Sequence, residues 1–163
     1  MKLETLRDLL IDEVADIYDA EHQIIEALPK MKKAAYSDKL KQSFQEHLDV
    51  TRQQVTRLEQ VFELLDEKPH RKTCKAMKGL IKEGEDMIEE DADRDVKDAG
   101  LIASAQRVEH YEIAAYGTAM AYAKQLGLDQ AIKLMSQTLE EEKKTDTNLT
   151  KLAESTINIK ASQ

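Results

Sequence analysis

Leu3, Leu6, Leu10, Val14 and Ile17 open a chain in which apolar side chains return every three or four residues. That period puts them on one face of an α-helix, and it persists over stretches far longer than a strand would use. The spacing predicts a first helix from Leu3 to about Ala35, with Pro29 inside it marking a kink or an early end. Tyr36-Ser37-Asp38 supplies a short turn with capping residues, and a second helix follows from Lys39 to about Asp66. The pattern breaks over Glu67-Lys68-Pro69-His70-Arg71-Lys72-Thr73, read with Lys75 as a solvated basic loop. A shorter helix fits Cys74 to Glu90, carried by Met77, Leu80, Ile81, Met87 and Ile88. A third long helix runs from Asp93 to Leu126 and stops at Gly127; a fourth runs from Asp129 to the late 150s.

Short turns join the first long helix to the second and the third to the fourth, which makes two antiparallel hairpins. The segment between the hairpins is long and carries its own helix. Two hairpins joined by such a crossover form the ferritin-like bundle topology. The expected fold is therefore all-α, a ferritin-like four-helix bundle in one domain over residues 1–163.

Composition removes the main alternatives. Five Gly and two Pro are too few to punctuate a sheet protein, and five Tyr and two Phe with no Trp give strands little to pack. No apolar run approaches the roughly 20 residues of a membrane span. Met1-Lys2-Leu3-Glu4-Thr5-Leu6-Arg7-Asp8 mixes charges with leucines, unlike a secretory signal. Cys74 has no second cysteine to pair with, and the expected compartment is the cytoplasm. A net charge of −8 argues against broad nucleic-acid binding and for a surface that attracts cations.

The informative positions are polar residues where core should be. In the first helix the stripe Val14, Ile17 continues as Glu21 before resuming with Ile24, Leu28 and Met31. In the second, Leu40 and Phe44 give way to His47, Thr51 and Gln54 before Leu58, Val61 and Leu65. The third reads Ile102, Ala105, then Glu109 and Glu112, then Tyr116, Ala119 and Ala123. The fourth reads Met135, Leu139, then Glu142 and Asp146, then Leu149 and Ala153. At 1.5 Å per residue the carboxylates and Thr51 lie about 22–28 Å from their hairpin turns, with His47 one turn nearer its loop, so the carboxylates converge on one level. One competing reading places them on wet faces, an easy fate for single residues in a chain that is 34% charged.

Together in a core, five carboxylates and an imidazole cannot all stand as bare charges. They must be protonated, paired with buried cations, or shared by metal ions. No Lys or Arg falls at the centre of any stripe, and hard oxygen donors with an imidazole suit iron or manganese. Neither the second nor the fourth long helix offers Glu-x-x-His, the usual bundle signature: Val50 lies three residues after His47, and Thr145 three after Glu142. Ala20-Glu21-His22 and Val108-Glu109-His110 form a short internal echo that makes Glu21 and Glu109 equivalent. His22 and His110 point away from the stripes, Tyr18 and Tyr116 read as core packing, and Cys74 as a small buried hydrophobe.

Ala105-Gln106-Arg107-Val108-Glu109-His110-Tyr111-Glu112-Ile113-Ala114-Ala115-Tyr116-Gly117-Thr118 and Leu139-Glu140-Glu141-Glu142-Lys143-Lys144-Thr145-Asp146 resemble the YciE/YciF-type bacterial stress proteins. Arg57-Leu58-Glu59-Gln60-Val61-Phe62 and Cys74-Lys75-Ala76-Met77-Lys78-Gly79-Leu80-Ile81 extend the resemblance over nearly the whole chain. It implies a rubrerythrin-like bundle, commonly a homodimer, with a di-metal centre and a part in stress responses. By resemblance the metal positions are Glu21, His47, Glu109, Glu112, Glu142 and Asp146. Relatives often carry His-Leu-Glu-Glu-Thr in the second helix, where this chain has His47-Leu48-Asp49-Val50-Thr51. The expected function is a centre of two iron ions, or of manganese, that reduces peroxide or oxygen. The alternative is a non-enzymatic dimeric structural or interaction protein with a degenerate or empty site.

Overall fold

The computed structural model describes residues 2–163. Helix α1 spans Leu6–Ala34, α2 Asp38–Leu64, α3 Lys75–Glu89, α4 Arg94–Gln125 and α5 Asp129–Leu152. A π-helical turn at Ala153–Ile157 then leads into a short α6 at Asn158–Ala161. The long hairpins α1–α2 and α4–α5 pack within themselves and against each other through α2–α5 and α1–α4, while α3 lies across α1 and α4. The expected all-α, ferritin-like arrangement is the one found.

Local chemistry sets the ends. α1 begins three residues later than the hydrophobic pattern suggests because Thr5 and Asp8 form a reciprocal capping box there. Pro29 does not end α1, which continues to Ala34. The missing N–H forfeits one hydrogen bond, but Leu28 and Met31 on the same stretch pack into the core and hold the turn. Ser37 makes no side-chain cap for α2. Asp98 of α4 instead pins the turn ahead of α2, accepting the Tyr36 and Ser37 N–H groups at 2.8 and 2.7 Å. Gly127 takes φ +70°, the left-handed stop that ends α4. Gly100 is a point of close approach: a Cβ there would collide with Met87 of α3.

The basic crossover is solvent-exposed, as its charges suggest, and it is also tied to α1 by two of its cations. Asp19 of α1 accepts from Arg71 Nε and from the Cys74 N–H, both at 2.8 Å. Lys72 pairs with Asp12, and its N–H reaches the Ala15 carbonyl at 3.2 Å. Cys74 is buried as expected and also caps α3 through its sulfur.

Two apolar cores fill the bundle. One gathers Ile24, Leu28, Leu40, Phe44, Ile102, Ala105, Leu149 and Ile157; the other gathers Leu10, Val14, Ile17, Leu58, Phe62, Ala119, Ala123 and Met135. Between them, where each stripe is interrupted, lies a polar layer.

Candidate metal centre

Each long helix sends at least one side chain into that layer. Glu21 comes from α1, His47 from α2, Glu109 and Glu112 from α4, and Glu142 from α5. The four glutamates have 0% exposure and His47 only 4%. His47, Glu109, Glu112 and Glu142 each offer a ligand atom within 4.8 Å of all the others. His47 Nδ1 lies 3.2 Å from Glu109 Oε1 without the alignment of a hydrogen bond. Glu21 completes the group from the far side, where Tyr116 donates its hydroxyl to Glu21 Oε1 at 2.5 Å. Tyr116 is thus both core packing and a carboxylate partner.

Asp146 stands apart from this group. One turn beyond Glu142 a helix has advanced 400°, so a residue at that step is rotated about 40° off the stripe. Asp146 is turned toward the flank, where it faces His110 Nε2 at 3.3 Å and accepts from Gln106 at 3.1 Å.

No Lys or Arg enters the cluster, and the electrostatics follow. Burial drives Glu21 up to about 8, with the nearby Glu142 adding to the rise. Burial and Glu142 likewise hold Glu109 and Glu112 well above the ordinary carboxylate range. Burial would raise Glu142 too, but Glu109, Glu112, His47 and Gln54 all favour its charged form and bring it below the usual value. The carboxyls of Glu109 and Glu112 lie against Glu142, contacts that become hydrogen bonds only when one member carries a proton. Burial depresses His47, with the Glu142 carboxylate pulling the other way. Without a cation, burial favours protons on Glu21, Glu109 and Glu112, and the neighbours of Glu142 favour its charge.

A support that pattern reading misses runs behind Glu142. Gln54 Nε2 donates to Glu142 Oε1 and, at 3.2 Å, to Glu141. Arg57 grips Glu141 with two hydrogen bonds of 2.7 Å each. Gln54 was legible as a polar break in α2, but its partners lie 87 and 88 residues away.

The donor set fits a metal. Among the described residues, the buried side-chain N and O atoms without a partner are Glu21 Oε2, His47 Nε2, Gln54 Oε1, both oxygens of Glu109 and Glu112, and Glu142 Oε2. All belong to this layer. Buried polar groups are nearly always satisfied, so a layer of oxygens that only shared protons or a shared cation could satisfy is unusual. Oxygens with one imidazole nitrogen, aimed inward from four helices, are what a hard or borderline cation requires.

The fold and this cluster define a ferritin-like helical bundle with a buried carboxylate–histidine site that could hold metal. The chain belongs to the family described as a domain of unknown function, DUF892, which matches residues 5–162. It is 47% identical over 162 residues to Protein YciF of Escherichia coli (strain K12), covering 99% of this chain and 98% of that protein. The crystal structure of the E. coli stress protein YciF superposes with a TM-score of 0.92 at 46% identity, over 96% of this chain and 99% of that one. YcfI, a proposed structural protein from Rhodopseudomonas palustris, matches with a TM-score of 0.90 at 46% identity, over 91% and 95%. A Xanthomonas campestris protein at 19% identity and a TM-score of 0.75 shares the fold. Among the described residues no helix is long and apolar enough to cross a membrane.

Proposed function

We propose that the chain is a cytoplasmic, homodimeric stress-response protein, one domain in extent, with a di-iron centre that reduces peroxide or dioxygen; manganese is the other metal its donors suit. The observation that carries this reading is the layer of unpartnered buried carboxylate oxygens. His47 and Glu109 would hold one side of the pair and Glu21 the other. Glu112 and Glu142 would lie between, Glu142 being the group that Glu21, Glu109 and Glu112 all face. Asp146 would serve at the rim, on the path from the acidic surface. When bound, two ferrous ions supply two electrons, enough with two protons to turn hydrogen peroxide into two waters or dioxygen into hydrogen peroxide.

The chain's own groups prepare that chemistry. Glu109, Glu112 and Glu21 give up protons as cations enter, which keeps the layer near neutrality. Gln54, held through Glu141 by Arg57, fixes the Glu142 carboxylate in its charged form. Tyr116 orients Glu21 and leaves its Oε2 free. The two apolar cores keep bulk water off the layer from both ends. Anaerobic Fe(II) loading followed by peroxide or air should give an optical change in a two-iron step; fewer than one iron per chain, with no such step, overturns the reading.

One observation favours a second reading, a non-enzymatic structural or interaction protein. Past His47, α2 turns Thr51 and Gln54 inward and offers no carboxylate, with Thr51 donating to its own helix at the His47 carbonyl. The YcfI relative's description also proposes a structural role for that protein. Under this reading Glu109→Ala or Glu142→Ala alters stability and no turnover exists to lose.

A further inference from the structure

Beside the carboxylate layer lies a second feature that the metal reading does not use. A small cavity of about 30 Å³ sits between α1, α3 and α4, and its inner end is the His47 ring. Ile24, Leu28, Leu80, Ile81, Ser104 and Ala105 form its walls, and Gly84 of α3 lines it without adding a side chain. At the outer end Lys30 and Glu85 pair at 2.9 Å on the surface. His47 is the one buried group with a polar, unpartnered nitrogen along this wall.

Such a space selects its occupant by chemistry. Apolar cavities stay dry and accept small nonpolar guests such as xenon. Hydrogen peroxide, with two donors and four lone pairs, would give up its hydrogen bonds to water and find only the Ser104 hydroxyl and the His47 ring in a wall that is otherwise Ile, Leu, Met, Val and Ala, apart from the Lys30–Glu85 pair at its outer end. Dioxygen has no such bonds to lose and is small enough for the space. We propose that this cavity is a binding and entry site for a small uncharged diatomic molecule, dioxygen, on the His47 side of the cluster. The inference rests on the di-iron reading and names its oxidant.

Gly84 provides the test. A Cβ there meets only Ser104 Cβ, at 3.8 Å, so Gly84→Ala fits and a longer side chain must grow into the cavity. Crystals of the full chain pressurised with xenon should show a xenon atom between Leu28, Gly84 and Ala105. The site should persist in Gly84→Ala and vanish in Gly84→Leu. In iron-loaded protein, Gly84→Leu should slow oxidation by dioxygen about tenfold, the scale set by forcing a blocking side chain off its rotamer, and leave oxidation by peroxide unchanged. Wild-type crystals without xenon in the cavity overturn the proposal, whatever becomes of the variant. So does an unchanged dioxygen rate in a Gly84→Leu protein whose crystal shows the cavity filled. Failure to bind iron is seen before any oxidant is added and overturns the di-iron reading, taking the oxidant assignment with it.

Discussion

Removing metal from this protein should invert its stability profile with pH. Most folded proteins are destabilised by acid because native carboxylates sit below their unfolded pKa values. Here the reverse holds at the core: Glu21 rises from 4.5 to about 8, and Glu109 and Glu112 rise as well. A group raised on folding binds protons more tightly in the native state, so its contribution is whole below about pH 4.5 and drains away as pH climbs through its folded value. For Glu21, fully buried, the total loss is about 5 kcal/mol, of which about 3 kcal/mol falls between pH 5.5 and 8. That is a large part of the 5–15 kcal/mol of an ordinary domain. Glu109 and Glu112 add in the same direction, while Glu142 opposes them. The assay is urea unfolding of chelator-treated protein across that window. The expected result is stability falling by about 3 kcal/mol or more with rising pH. Glu21→Gln, which keeps an acceptor for the Tyr116 hydroxyl, should remove the Glu21 share of the slope and so separate it from general charge repulsion. A flat or rising profile in the wild type, or an unchanged slope in Glu21→Gln, would refute the reasoning.

Other outcomes follow from the same contacts. Manganese(II) or iron(II) binding near neutral pH should release protons into weakly buffered solution, and affinity should weaken as pH falls, because Glu109, Glu112 and part of Glu21 must ionise to bind. Gln54→Leu should lower metal affinity by about 10–100-fold in a titration while the helical circular dichroism is kept, since it strips the amide that steadies Glu142. Asp98→Ala should cost about 2 kcal/mol or more in urea unfolding, because it orphans the Tyr36 and Ser37 N–H groups; Ser37→Ala, which removes no cap bond, should cost almost nothing.

Much of this was written in the hydrophobic period. The breaks at Glu21, His47, Glu109, Glu112 and Glu142 stand out because a three-or-four step leaves no freedom about which side a residue faces, and all five are buried. Asp146 keeps the same period yet is only partly buried, held on the flank by His110 and Gln106, partners that the pattern does not reveal. Pairings across long sequence distances left no trace in the pattern. Asp98 holding the turn before α2, Asp19 pinning the crossover, and the Arg57–Glu141–Gln54–Glu142 chain join residues 52 to 88 apart. Their charges look like any wet surface charge until the helices are docked. The loop basics are a related case: Arg71 and Lys72 are exposed, as read, and their ion pairs to Asp19 and Asp12 on α1 left no trace in the pattern. Thr5 shows a third limit, since a capping box moves a helix start by a few residues without disturbing the stripe.

The claim under everything else is that the buried carboxylates exist to share cations. Elemental analysis of protein purified without chelator, repeated after anaerobic Fe(II) loading and desalting, tests it most directly. The account calls for two equivalents of iron or manganese per chain, falling in Glu109→Gln and Glu142→Gln variants that remain folded. Less than one equivalent after loading, or full binding that survives both substitutions, would contradict it.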